Sequence, residues 1–310
     1  DLLYSDKQDA AIIRDISREQ VGTAPDGRPI YGSSNGRRQD FFLTNVRGDS
    51  GDSLSASLAL TKSHDFGLDW SIAYAYTKAD DVSPMTSSVA FSNYISPAVS
   101  DPENPGTATS NYEIPHRFTL RLSYKHEFFD GYETRFSVFG TINEGRPYSY
   151  VFDGDLSGGL GSSVGFIEHN LLYIPEVNDA NVVYGDDFNI EAFNAFIEAE
   201  GLNRGEIMER NSLNSSWFHK FDVKIEQEFP GFYEGHKGSA FIVIENFGNL
   251  LNDDWGVLYE TSFPRAQEVV SGSINDQNQY VYEEFIQPSG QTRVSDASLW
   301  EIRMGVKYKF

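Results

Sequence analysis

Alternation with a period of two runs through most of this chain and confines it to strands. In residues 68–77 the even positions are Leu68, Trp70, Ile72, Tyr74 and Tyr76, and the odd ones are Asp69, Ser71, Ala73, Ala75 and Thr77. Successive side chains of a strand point to opposite faces, so this spacing gives one apolar face and one polar or small face. The preceding segment sets Leu54, Ala56, Leu58 and Leu60 against Ser53, Ser55, Ser57, Ala59 and Thr61, and only His64-Asp65-Phe66-Gly67 separates the two, as in a tight hairpin. The pattern recurs with Phe118, Leu120, Leu122 and Tyr124, with Phe136, Val138, Gly140 and Ile142, with Phe221, Val223 and Ile225, and with Trp300, Ile302, Met304, Val306, Tyr308 and Phe310. Residues 238–250 are strand-like with an ambiguous apolar face, and 11–18 is a weaker strand.

A soluble β-sandwich also alternates, but two features favour a membrane barrel. The connections are short near 64–67, 128–131 and 229–236 and long over 19–51, 79–115, 151–214 and 251–297. Compact soluble domains seldom repeat connections above ~15 residues, whereas outer-membrane barrels pair short periplasmic turns with long extracellular loops. Rings also sit at the ends of the apolar rows, as in Trp300 before Ile302 and Met304 and Tyr308 after them. Amphipathic rings favour the two membrane interfaces. A strand of about eleven residues, rising ~3.3 Å per residue and tilted ~45°, crosses about 25 Å.

The expectation is therefore all-β: part of a transmembrane antiparallel β-barrel, with about eight strands over 8–18, 52–62, 68–78, 116–127, 132–150, 215–228, 237–250 and 298–310. With the C-terminus periplasmic, every long connection falls outside. Leu58, Leu60, Trp70, Ile72, Tyr74, Phe118, Leu120, Leu122, Tyr124, Val138, Trp300, Ile302 and Met304 are expected to face lipid. Within the connections, a helix is expected at 187–200, capped by Asp186 or Asp187, and a hairpin with arms 268–274 and 279–285. Prolines 84, 97, 102, 105 and 115 mark 79–115 as irregular.

Composition narrows the function classes. A net charge of -22 opposes nucleic-acid binding, and the absence of cysteine removes disulfides, thiolate metal sites and a cysteine nucleophile. No stretch has the apolar length of a transmembrane helix, and no signal peptide is expected at Asp1-Leu2-Leu3.

The final Val306-Lys307-Tyr308-Lys309-Phe310 resembles the C-terminal assembly signal of bacterial outer-membrane barrels, carried here by Val306, Tyr308 and Phe310. Residues 244–255, with Asn246-Phe247-Gly248-Asn249-Leu250-Leu251-Asn252-Asp253-Asp254, resemble the block before the last loop of TonB-dependent receptors. More narrowly, Pro25-Asp26-Gly27-Arg28-Pro29-Ile30-Tyr31, Tyr112-Glu113-Ile114-Pro115-His116-Arg117-Phe118, Gly145-Arg146-Pro147-Tyr148-Ser149-Tyr150, Leu172-Tyr173-Ile174-Pro175 and Glu226-Gln227-Glu228-Phe229-Pro230-Gly231 look like the C-terminal part of Oar-like TonB-dependent receptors, in family order.

That resemblance implies a barrel of about 22 strands around an N-terminal plug, of which this chain would be a fragment of roughly a third. It implies an integral outer-membrane protein that binds or admits a bulky extracellular ligand through its loops, energised by the TonB system. Implied partners are lipid and lipopolysaccharide, the barrel-assembly machinery, the remaining barrel and plug, and an unknown ligand, with no nucleic acid. A surface adhesin, scaffold or protein-export conduit is the alternative; an enzyme is not expected.

Candidate chemistry is sparse. Asp153-Gly154-Asp155 followed by Gly158-Gly159 suggests a calcium loop but lacks its regular spacing and distal Glu, so a turn is the simpler reading. Asp253 and Asp254 could meet a cation or simply start a loop. No cofactor is expected beyond a divalent cation at the acidic loops. The histidines lack ligand spacing, and no nucleophile motif occurs. The inward row, with Arg117, Arg121, Arg135, Lys220, Asp222, Lys224, Glu226, Glu301 and Arg303, is mixed in sign and is expected to be a salt-bridged wall or plug contact, with a substrate path as the minor alternative. Net charges of -5, -10 and -6 fall on 79–115, 151–214 and 251–297, so nearly the whole excess forms an acidic crown over a near-neutral wall, favouring cationic partners or cation bridging to lipopolysaccharide.

Overall fold

The computed structural model describes residues 1–33, 39–153 and 169–310. It is mostly β-strand with few, short helices. Eight strands lie side by side in chain order: Leu2–Gln8, Asp49–Ser63, Leu68–Asp81, His116–Phe129, Tyr132–Asn143, Phe218–Pro230, Lys237–Glu245 and Glu301–Lys309. Every neighbouring pair is antiparallel. The sheet is open among the described residues, because its first and last strands each bond to one neighbour only.

Register converts the period-two pattern into rows. Trp70 lies opposite Leu122, and the row continues through Val138, Val223, Ile244 and Ile302. The adjacent row runs Leu68, Tyr124, Phe136, Ile225, Ile242 and Met304. A one-residue slip in any strand would move its apolar set to the other face, so each strand's pattern fixes its pairing. Bare backbone is covered by rings: Gly140, Gly238 and Gly305 lie opposite Phe221, Phe229 and Phe241, whose rings occupy the space a Cβ would need. The first hairpin turns on Gly67, at φ 92°, where a Cβ would meet the Lys125 carbonyl oxygen.

The short turns sit at one end of the sheet and the long connections at the other. The long connections are not loose. Strands from two of them form a second, five-stranded sheet in the order Val182–Tyr184, Tyr280–Phe285, Ala266–Ile274, Pro147–Asp153 and Leu213–Asn214. Helix Ile190–Glu200 packs on it through Phe193, Phe196 and Ile197. The buried core of the molecule lies here, in a cluster that includes Tyr150, Phe152, Leu172, Ile174, Phe193, Val269, Val270, Tyr280 and Tyr282. Rings dominate it because edge-to-face pairs fill a thin layer efficiently, as Phe152 does with Tyr282 and Phe193 with Phe188.

Several expectations are corrected. The segment expected as a strand over 8–18 is not part of the eight-strand row. Leu2–Gln8 takes that place, and Ala11–Asp15 pairs instead with Phe41–Asn45 in a separate arm. The strand expected over 132–150 breaks after Asn143 and re-forms as Pro147–Asp153 in the upper sheet, since Gly145 abuts the Ser215 backbone and Pro147 offers no N–H. The strand expected over 237–250 ends at Glu245, where Asn246 adopts φ 50° and starts the short helix Phe247–Leu251. The long helix begins at Ile190; its cap is Asn189, whose Oδ1 accepts the Ala192 N–H at 3.0 Å, rather than Asp186 or Asp187. The 79–115 connection is mainly irregular but holds helix Ala90–Ile95.

Candidate functional site

The apolar face of the long sheet is uncovered. Leu58, Leu60, Ile72, Phe118 and Met304 are 65, 59, 50, 42 and 76% exposed, although the Phe118 ring also meets Tyr74 at 4.8 Å between centroids. Water-soluble monomers rarely expose contiguous apolar surface of this kind. Trp70, Tyr74, Leu120, Leu122, Tyr124 and Val138 share this face by register, and Trp300 immediately precedes its last strand. Exposed rings gather at both ends: Phe66, Phe128, Phe129, Phe232 and Tyr233 by the short turns, and Tyr112, Trp217, Trp255 and Trp300 by the long connections. Trp217 stacks on His116 at 6.2 Å between centroids, and the His116 ring meets the Tyr74 hydroxyl at 2.8 Å. From Phe118 to Phe128 is ten residues, about 33 Å along a strand and about 24 Å across a layer if tilted ~45°.

Of the terminal residues, Val306 and Tyr308 lie on this same face and Phe310 follows the last strand. Tyr308 also fastens a turn. Its hydroxyl accepts the Phe232 N–H at 3.0 Å and meets His236 Nδ1 at 2.9 Å, tying residues 231–236 to the final strand.

The opposite face is mainly polar, with the exposed Phe139 ring opposite Arg121 as an exception. Over its C-terminal strands the charges interlock: Lys220 reaches Asp222 and Glu245, Arg303 reaches Glu245 at 3.1 Å and Glu301 at 2.7 Å, and Glu226 takes both Lys224 and Lys307. Phe241, on this face, lies between the Lys224 and Lys307 ammonium groups at 5.2 and 5.0 Å. The polar face of strand 237–245, ambiguous in the sequence, is thus the one bearing Phe241 and Val243.

Where wall meets upper body, two adjacent residues that no sequence motif marks form a hub. Arg210, 5% exposed, bonds Asp81 through its carboxylate at 2.9 Å and its carbonyl, and reaches the Ala108 carbonyl at 3.1 Å. Burial pushes its guanidinium below its usual pKa, which the Asp81 charge opposes. The Asn211 N–H donates to the Ser149 hydroxyl at 2.7 Å, and its side-chain amide donates to the Thr109 carbonyl at 2.7 Å. The signal that could have found this hub is compositional: residues 151–214 hold twelve acids and only two bases, Arg204 and Arg210, so a cation there is an exception that needs a specific partner. Arg28, from the first connection, enters the upper core. It pairs with Asp26 at 2.6 Å, donates to the Leu171 carbonyl at 2.8 Å and lies 5.8 Å over Phe152.

The acidic candidates come together less. Asp153 ends its strand opposite Ser271, while Asp155 lies outside the described residues. Asp253 and Asp254 are exposed on the turn after Leu251, where the Asp253 carbonyl accepts from Asn249 and the Asp254 N–H donates to Asn252. Among the described residues no three His, Asp or Glu side chains are placed to hold a metal ion.

A carboxyl does stand out between the first two connections. Glu103 accepts the Tyr94 hydroxyl at 2.6 Å and the Asp15 N–H at 3.1 Å, and burial pushes it above the usual carboxylate range despite these bonds. A raised folded-state pKa means the fold prefers the protonated acid. That contribution is present below the unfolded value and is lost as pH rises through the folded one. Glu103→Gln is therefore expected to raise the melting temperature at neutral pH, with the gain over the parent shrinking on acidification through the carboxylate range; thermal melts at stepped pH measure it.

No family model matches the chain, and no curated protein or solved structure matches it.

Proposed function

We propose that this chain is the C-terminal part of an outer-membrane β-barrel receptor of the Oar-like, TonB-dependent kind, which binds or admits a bulky extracellular ligand through its long connections. One observation carries the membrane reading: a continuous, uncovered apolar face spans the long sheet, with exposed rings at both ends and a polar face behind it. Lipid is the solvent such a face suits. The two free edges, at Leu2–Gln8 and Glu301–Lys309, are where further strands of the same barrel would pair. Receptor function rests on the residue-level resemblance of the Pro25–Tyr31, Tyr112–Phe118 and 244–255 segments together with this geometry.

The test has two arms. Protein folded with phospholipid vesicles should show Trp70 and Trp300 fluorescence quenched by lipid-borne bromine, with urea-washed membranes retaining the chain. The same chromosomal locus should encode a plug and a TonB-contacting segment upstream. A chain that stays in the aqueous phase with unquenched tryptophans removes the membrane reading, and a locus without plug coding removes the TonB reading.

An adhesin or scaffold is the second reading, favoured by the placement of the buried core in the connections rather than in the wall. Ligand retention by cells lacking TonB, without uptake, would select it.

A further inference from the structure

We propose that the polar face of the sheet carries an oxyanion-binding station built on Arg121 and Lys125, which takes a small solute bearing a phosphate or carboxylate group. The inference rests on the proposed barrel only in taking this face to be wetted.

Two strands of this face differ in what accompanies their cations. On Phe218–Pro230 the face reads Lys220, Asp222, Lys224, Glu226, and each cation has an acid beside it. On His116–Phe129 the alternate positions read Arg117, Thr119, Arg121, Ser123, Lys125, with Glu127 after them and not within ion-pair reach of Lys125. Hydroxyls stand where the other strand has acids. Among the described residues no carboxylate is within ion-pair reach of Arg117, Arg121 or Lys125. The chain has 46 acids against 24 Lys plus Arg, so three cations on one strand with no acid in ion-pair reach run against its overall balance.

Across the neighbouring strand the imbalance deepens. Lys125 lies directly opposite Arg135, a like-charge pair that costs stability in a sheet. Arg135 is satisfied from elsewhere, by Glu133 at 2.7 Å, which leaves Lys125 without an acidic partner among the described residues. On the other side, Arg121 lies opposite Ser71 and Ser123 opposite Asp69. The result is a groove of about 350 Å³ lined by Thr61, Ser71, Arg121, Ser123 and Lys125, with Asp69 and Arg135 also on its wall.

Two unmatched cations and several hydroxyl donors converging on one small groove match the acceptor-only surface of a phosphate or carboxylate, which gains charge-assisted hydrogen bonds from each. The volume suits a compact group rather than a folded segment. Arg117, four residues and about 13 Å up the strand towards the long connections, offers a second contact on the way in. The acidic connections oppose an anion's approach, but that opposition decays over about 8–10 Å at physiological salt.

The folded 310-residue chain is titrated with inorganic phosphate by calorimetry, and separately with a tri-glutamate peptide. The double variant Arg121→Gln, Lys125→Gln is expected to weaken phosphate binding at least about tenfold, as loss of charged hydrogen bonds implies, while Lys224→Gln, whose cation is already paired, changes it less than about twofold. A measurement on the unaltered protein guards against misfolding of the variant: phosphate should slow reductive methylation of Lys125 and leave Lys224 unaffected. Phosphate affinity indifferent to the double variant, or equal protection of both lysines, overturns the station. Tri-glutamate bound much more tightly than phosphate overturns the solute in favour of an acidic polypeptide. Phosphate binding by a chain that fails to enter vesicles would reject the barrel and leave the station standing, and the converse would reject the station alone.

Discussion

Leu122→Arg is expected to cost about 2–4 kcal/mol of membrane-inserted stability under the proposed membrane reading, the penalty for a cation at the middle of a strand that faces lipid. Leu122 sits midway along His116–Phe129, in the row that joins Trp70, Val138, Val223, Ile244 and Ile302. The control is the same new side chain on the other side of the same sheet. Ala73 pairs with Ala59 and Thr119 on the polar face, so Ala73→Arg should change stability by no more than about 0.5 kcal/mol. Urea unfolding from vesicles of defined thickness gives both numbers. Equal losses at the two positions would mean that both faces are packed by protein, as in a sandwich, and would remove the lipid-facing assignment.

The second large effect is expected at the hub between wall and upper body. Arg210→Met removes one partner of a buried ion pair and should destabilise the upper body by about 3–5 kcal/mol, because the Asp81 carboxylate is left without its counter-charge. Asp81→Leu alone should cost a similar amount. Combined, Asp81→Leu and Arg210→Met should cost clearly less than the sum, since no orphaned charge remains. Limited proteolysis under native conditions, with cleavage mapped to 147–153 and 266–285, measures local opening. Additive losses would mean that the two residues stabilise the fold separately.

How far the sequence carries depends on the range of the interaction being read. Seven of the eight wall strands are legible because each must satisfy one apolar and one polar environment within its own ten or so residues, as Leu54–Leu60 against Ser53–Thr61 does. The eighth escapes because Leu2-Leu3-Tyr4 puts apolar residues on both faces and hides its period. The helix near 190 and the hairpin near 275 are also local, and both are present. Their assembly is not local. Pro147–Asp153 pairs in parallel with Ala266–Ile274, more than a hundred residues away, and nothing in either segment's spacing specifies the other. The same limit hides Arg28 and Arg210, whose partners are a carbonyl at Leu171 and a carboxylate at Asp81. The apolar row is readable as chemistry; the Arg121–Lys125 groove needs the register that places Arg135 opposite Lys125.

The shared upper sheet has a consequence for how this molecule can be rebuilt or can diversify. Its central strands, Tyr280–Phe285, Ala266–Ile274 and Pro147–Asp153, come from the last and the third long connection, and each connection supplies backbone partners the other needs. Neither connection is therefore a free-standing module. A graft of the third alone would carry away Phe152 and helix Ile190–Glu200 and leave Val269, Val270 and Tyr282 facing water. Exchange of these connections must move the two together, as a single cassette interrupted by the two strands Phe218–Pro230 and Lys237–Glu245.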